Sequence, residues 1–490
     1  MRLVFSKSFL VFSFLLSLFV VFFLAVAPVL AEHDNQRVGQ IALGLISAFS
    51  IFTMHSSRMR FSFISQCPDW WIFLFISAGV GSVLLAHQLA WAVADACVLV
   101  TCCCIAGFYA GFRRVVGVSA DRVFWCFLLL LCSVKSVQFI VSMLAAFLSD
   151  ARQLDTDLLI VGFSNKRFYG QFQTFTLPIL VLPLLLTEVK RSAKICIFSL
   201  LACWWMIAIC GGTRGTWLGM SCSAAILLAC GASGRRWLCW QLSAVGAGLL
   251  LFWYFFRMLP EHLGIEVINF AGDRLTTSLS ARDIIWQQAW EMIKERPILG
   301  FGPMHFADIH NPVAAHPHQA ILQWACEWGV PSTLMLGWLV VRGLFSTFRL
   351  ILQKASSSEP IDLLRICLFA SLVGALAQSM VDGVIVMPYS QIWMAIVVGW
   401  LMGIHEWPAK PRFRRTLHLG WMATMFLAIG FLGYVVARDY PHLDDIERQY
   451  AADFGGRFQP RFWMQGIIAK PGPSLLEPPE AARFSTQSPK

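Results

Sequence analysis

AVADACVLVTCCCIAGFYAGF (residues 92–112), RRVVGVSADR (113–122) and VFWCFLLLLCSVKSVQFIVSMLAAFL (123–148) follow one another without a gap. Two apolar runs of membrane-crossing length flank a short segment that carries Arg113, Arg114 and Arg122. About 20 consecutive apolar residues, wound as a helix, cross the hydrocarbon core of a bilayer. The helix is favoured there because its backbone groups are satisfied within the segment. Working outward, the same alternation gives about thirteen runs: 9–30, 39–54, 71–90, 92–112, 123–148, 174–188, 195–211, 216–232, 237–256, 320–341, 362–381, 386–404 and 417–436. Composition agrees. Hydrophobic residues make up 57% of the 490 positions and charged residues 13%, with 40 Phe and 20 Trp against seven Tyr. A soluble domain averages roughly 45–50% apolar and about 25% charged. The expected fold is therefore all-α, a polytopic transmembrane helical bundle of about 12–13 spans.

Charge sets the expected orientation. Basic residues gather on alternate connections: Arg58 and Arg60; Arg113, Arg114 and Arg122; Lys190, Arg191 and Lys194; Arg235 and Arg236; Arg342, Arg349 and Lys354; Lys410, Arg412, Arg414 and Arg415. That is the positive-inside pattern of a bacterial inner-membrane protein. It also accounts for the net charge of +10, which argues against nucleic acid as a partner because no basic face is interleaved with aromatics. The opposite, periplasmic side then receives 149–173, a large helical loop at 257–319, and a tail at 438–490 expected to be partly disordered beyond Pro471. Residues 1–437 form the expected transmembrane domain. Arg2, Lys7 and Val29-Leu30-Ala31 resemble a cleavable signal, but the apolar stretch is long for one, and a retained helix is expected. Nearly all fifteen cysteines lie inside apolar runs, so no disulfide framework is expected.

The residues suited to chemistry sit in the outer segments. Gly211-Gly212-Thr213-Arg214-Gly215 ends one span and opens the next. Its glycines allow close backbone approach, and Arg214 offers a planar fork of donors that suits phosphate oxygens or lipid headgroups. In the large loop, Ser280 and Asp283 suggest a helix start, Pro297 a stop, and Ile285, Ala289, Met292 and Ile293 an apolar stripe. Such a helix would lie on the membrane or close over a cavity. Arg282 would fall in its first turn, where a cation is disfavoured by the helix dipole; an anionic ligand, or a salt bridge to Asp283 or Glu291, would offset this. Further on, Ala315-His316-Pro317-His318-Gln319 leads into an apolar run. Pro317 suits a helix start, which would place His318 in the first helical turn. There the dipole would keep the imidazole neutral and able to take a proton. A structural histidine is the alternative.

Rival readings are available. His305, His310, His316 and His318 could hold zinc, although no HExxH pattern occurs. Asp155-Thr156-Asp157 could bind a divalent cation. Lys135 and Asp95 are the charges a transporter or flippase would need at mid-membrane. No Walker A, dinucleotide or G-x-S-x-G pattern is found, so no cofactor and no metal are expected. An outer-face enzyme without nucleotide machinery must draw on an activated substrate already delivered there.

Four stretches, GFSNKRFYGQFQTFTLP (162–178), GGTRGTWLG (211–219), SARDIIWQQAWEMIKERPILGFGP (280–303) and HPHQAILQWACEWGVPS (316–332), resemble the O-antigen ligase (Wzy-C) superfamily. The resemblance implies a metal-independent, inverting glycosyltransferase at the periplasmic face. The donor would be an undecaprenyl-diphosphate-linked glycan, and the acceptor lipid A–core, a protein or a glycan repeat, among membrane lipids. It implies His318, Arg282 and Arg214 as catalytic residues. Lys166, Arg167, Gln171, His316 and Gln319 are candidates for substrate binding. Family members commonly carry Asn where this chain has Gln319. The short tail favours ligation to lipid A–core over transfer to protein, and polymerisation stays open as an alternative.

Overall fold

The computed structural model describes residues 2–56, 69–150, 152–269, 281–405, 415–454 and 458–469. Among them, ten helices are long and apolar enough to cross a membrane. Three further apolar runs are shorter helices: Asp69–Leu84 of 16 residues, Arg214–Leu228 of 15 and Pro388–Ile404 of 17. All thirteen expected runs are therefore helical, and the all-α class holds. Two boundaries are corrected, the first being the run expected at 174–188, whose helix already begins at Lys166. The run expected at 320–341 is two helices, Ala320–Trp328 and Val330–Gln353. Gly329 separates them at φ 83°, close against the Ile298–Leu299 backbone. A side chain would be strained by that φ and would collide with that backbone. The basic residues Arg58, Arg60, Lys410, Arg412 and Arg414, the cap candidate Ser280 and the tail beyond Pro471 lie outside the described residues.

The helices divide into two compact units. The first comprises 1–66, 100–277 and 339–429. At its centre is Lys166–Leu180, buried along almost its whole length and flanked by Arg214–Leu228 and Pro360–Gln378. Small residues let these backbones approach. A Cβ on Gly219 would lie 2.6 Å from the Gly374 carbonyl oxygen. Pro178 lies in the last turn of the central helix, and carbonyls that the helix end leaves open find side-chain donors. Gln241 Nε2 donates to Leu177 O at 2.8 Å and Trp237 Nε1 to Pro178 O at 3.0 Å. Unsatisfied carbonyls at such depth are costly, so the indole and amide are part of the fold. The outer segments of this unit are joined by a parallel pair of three-residue strands, Gln153–Asp155 and Glu266–Ile268.

The second unit comprises 67–99, 278–338 and 430–490. Its core is formed by Ile285, Ala289, Met292 and Ile293 of helix Arg282–Glu295, packed with Phe306, Ala325 and Cys326. The apolar stripe of that helix is thus packed inside the protein. The loop after the helix is locked by backbone bonds. Phe301 N donates to Cys326 O and Gly302 N to Glu327 O, both at 2.9 Å. These satisfy carbonyls that the end of helix Ala320–Trp328 would otherwise leave open.

Candidate functional site

In the second unit, Arg282 opens helix Arg282–Glu295 directly after Ala281, which sits in left-handed backbone at φ 58° and makes no side-chain cap. Arg282 is half-buried. One turn further along the same face, Trp286 Nε1 donates to Pro317 O at 3.0 Å. Residues four apart on a helix share a face, so Arg282 and the anchor of the histidine loop occupy one side of the helix.

That anchor explains where His318 sits. The expected place in the first helical turn is corrected: the helix begins at Ala320, with Gln319 as its cap. Pro317 O is taken by the Trp286 indole, and His318 adopts φ 53°. Left-handed backbone cannot continue a helix and costs about 1–2 kcal/mol for a residue with a side chain. Strain of this kind at a non-glycine residue persists only where surrounding contacts impose it. His318 N donates to His316 Nδ1 at 3.3 Å, and the two rings meet edge to face with centroids 4.1 Å apart. A neutral His316 therefore carries its proton on Nε2. His316 is buried and His318 half-buried. The Gln319 side chain accepts from Leu322 N and so caps the helix.

His305 has a different task. Its Nε2 accepts from Gln88 N at 2.8 Å, and its Nδ1 lies 2.8 Å from Pro303 O. Only the neutral ring protonated at Nδ1 satisfies both. Burial lowers its pKa below the ordinary value, against the opposing pull of the Pro303 hydrogen bond and Asp308. His305 is therefore a fixed internal strut, and the zinc reading loses one of its four ligands.

The first unit holds Arg214, Lys166, Arg167 and Gln171. Gly212 ends helix Arg191–Gly211 in left-handed backbone at φ 58°, and Arg214 opens the next helix after Thr213. Thr213 Oγ1 donates to Thr216 Oγ1 at 2.7 Å, and Thr216 Oγ1 donates to Gly170 O at 2.9 Å. The glycine-arginine turn is thereby fastened to the helix that begins at Lys166. Lys166 is buried in an ion pair with Asp157 and donates to Asn269 O at 3.4 Å. Asp155 accepts from Asp157 N at 2.9 Å and from Asn269 Nδ2 at 3.0 Å. Both carboxylates of the D-x-D triplet are thus engaged, and Asp155 joins the two outer segments through Asn269. Arg167 is exposed, and Gln171, fully buried, accepts from Ser390 Oγ at 2.6 Å. Lys135 is also accounted for: its Nζ donates to Val161 O at 2.6 Å and Ala25 O at 3.0 Å.

Two charged groups were not singled out from the sequence as site residues. Asp382, in the turn after Pro360–Gln378, is buried. Burial pushes its carboxyl up, opposed by hydrogen bonds from Gln171, Gly383 N–H and Gln378 and by the charge of Arg167. Gln378 also packs against Gly215, beside Arg214. In the second unit, Glu327 is buried against Arg461. An isolated acid in an apolar run carries no local signal of either partnership. Among the described residues no group of three or more His, Cys, Asp or Glu is placed to hold a metal ion.

The family described as O-Antigen ligase matches residues 197–337. That segment contains Arg214, Arg282, His316, His318 and Gln319. The match supports the O-antigen ligase superfamily and, in general terms, a glycosyl-transferring, ligase-like enzyme. The apolar helices support a multi-pass membrane protein. No curated protein matches the chain.

Proposed function

Taking residues 197–337 as an O-antigen ligase region, we propose that this chain transfers a glycan from undecaprenyl diphosphate to an acceptor hydroxyl at the periplasmic face of a bacterial inner membrane, with lipid A–core as the acceptor. The observation that carries the reading is the bond from Trp286 to Pro317, which ties the helix of Arg282 to the strained backbone of His318.

In this mechanism His318 takes the proton of the acceptor hydroxyl as its oxygen attacks the anomeric carbon. The bond from that carbon to the diphosphate breaks, and undecaprenyl diphosphate leaves with the electron pair. Attack from the face opposite the leaving group inverts the centre. Arg282 offsets the charge gathering on the diphosphate, since a guanidinium pairs with phosphate oxygens through two parallel donors. Arg214 is assigned a guanidinium role toward the donor's phosphates on the family resemblance. Exposed Arg167 suits a donor or acceptor headgroup, Lys166 and Gln171 position the helix they belong to, and His316 and Gln319 hold His318 in place. No step requires a metal.

Each such electrostatic or proton-transfer contribution is usually worth about a hundredfold or more. Purified His318→Ala and Arg282→Ala are each expected to lose at least about a hundredfold in glycan transfer. Near-normal transfer by both variants removes the mechanism. Deleting the gene separates the acceptors. Rough lipopolysaccharide with accumulated lipid-linked glycan supports ligation. Unglycosylated surface protein would redirect the assignment to protein O-glycosylation, and single-repeat caps to polymerisation.

A further inference from the structure

The helix that leads away from His318 is held at its far end by a residue from the distant tail. Arg461 is 2% exposed and Glu327 1%. Arg461 Nη2 donates to Glu327 Oε2 at 2.6 Å and Oε1 at 2.8 Å, and to Asp95 Oδ2 at 3.2 Å. Glu327 Oε1 also accepts from Phe306 N at 3.2 Å. With its amide oxygen turned toward the guanidinium, Gln323 accepts from Arg461 as well. Gln323 and Glu327 are one turn apart on the helix that Gln319 caps, so one guanidinium grips two successive turns.

Residues 458–469 carry this arginine as a strap. Gln459 Nε2 donates to Asn311 O at 3.0 Å, Ile468 N to Ala307 O at 3.0 Å, and Gln88 Nε2 to Ile468 O at 2.6 Å. Trp463 is buried, and its Nε1 donates to Asp439 Oδ2 at 3.0 Å. The strap therefore grips the segment that runs up to the histidine loop as well as the helix after His318. A buried guanidinium is expensive to desolvate, and removing one partner of such a pair leaves the other charge buried and uncompensated.

We propose that Arg461 is a positioning residue for His318: it fixes the rotation and depth of helix Ala320–Trp328, and through the Gln319 cap it fixes the imidazole. It touches no substrate. The inference rests on the glycan-transfer reading, and its test separates the two. The full chain is reconstituted in proteoliposomes with undecaprenyl-diphosphate-linked glycan and lipid A–core, and hydrogen exchange is followed over 316–328. Arg461→Ala is expected to lower kcat per folded molecule about ten- to a hundredfold, since a displacement near 1 Å can cost that much. Donor KM should stay within about twofold, because binding groups are untouched. Exchange at Leu322–Trp328 should rise. Arg461→Lys, which keeps the charge without the fork, should fall between. Wild-type kcat in folded Arg461→Ala, or unchanged exchange over 316–328, overturns the proposal. If Arg461→Ala does not fold, Glu327→Gln is measured instead; the same losses support the proposal, and wild-type kcat overturns it. A wild-type chain that transfers nothing, in which Arg461→Ala still loosens 316–328, supports the positioning role while sinking the transfer reading.

Discussion

At the scale of single residues, His318 and His305 show two uses of one side chain. His318 is held at φ 53°, a conformation glycine adopts without penalty. His318→Gly and His318→Ala should both be inactive. They should differ in stability, with the glycine variant the more stable by about 1 kcal/mol because alanine keeps the strain. Thermal unfolding in detergent checks this; an alanine variant as stable as the glycine variant shows that the backbone there is relaxed. His305 is neutral, with its folded pKa below the ordinary 6.5. The unfolded chain therefore takes up a proton as pH falls through that value while the folded chain does not. The stability His305 contributes is complete above 6.5 and is lost progressively below it. His305→Gln should remove that part of the difference between melting at about pH 7.5 and about pH 5; an unchanged difference places the titration elsewhere. Sequence reading mistook the backbone of His318. His-Pro-His suggests a helix start, and only the indole of Trp286, thirty-one positions earlier, takes the carbonyl that such a helix would need. The partner of Lys166 escaped for a related reason: lysine beside arginine reads as a solvated pair until Asp157 is seen to fold back onto it.

At the scale of elements, helix Arg282–Glu295 was legible in its limits and its stripe, because period and Pro297 are local properties. What covers the stripe is not local: Phe306, Ala325 and Cys326 come from two other segments. The helix serves as the bar from which the histidine loop hangs. Trp286→Phe keeps a ring and removes the N–H, so it should leave folded yield near normal while lowering turnover about tenfold through misplacement of His318. Kinetics of the purified variant check this, and a turnover equal to wild type cuts the link between Pro317 and function. Arg214–Leu228 makes the complementary point. In the sequence its glycines suggest room for a ligand's approach. Their purpose shows only where Thr216 reaches Gly170 and Gly219 meets Gly374.

At the scale of the whole molecule, the spans were readable because hydrocarbon imposes one requirement on every stretch of backbone, and length with apolarity reports it. Sidedness was read from the arginines and lysines. Alkaline phosphatase fused after Pro312 should be active and after Ser357 inactive; the reverse pattern inverts the topology. The division into two units was not readable, since each gathers three separated lengths of chain. That interleaving has a consequence for how the protein is made. Glu327 leaves the ribosome 134 residues before Arg461. At translation speeds of about 5–20 residues per second, it waits on the order of ten seconds for its counter-ion. The second unit can close only once Arg461 has been made, so nascent chains that stall before it would already carry Arg282 and His318 and yet lack the strap that sets the histidine's helix.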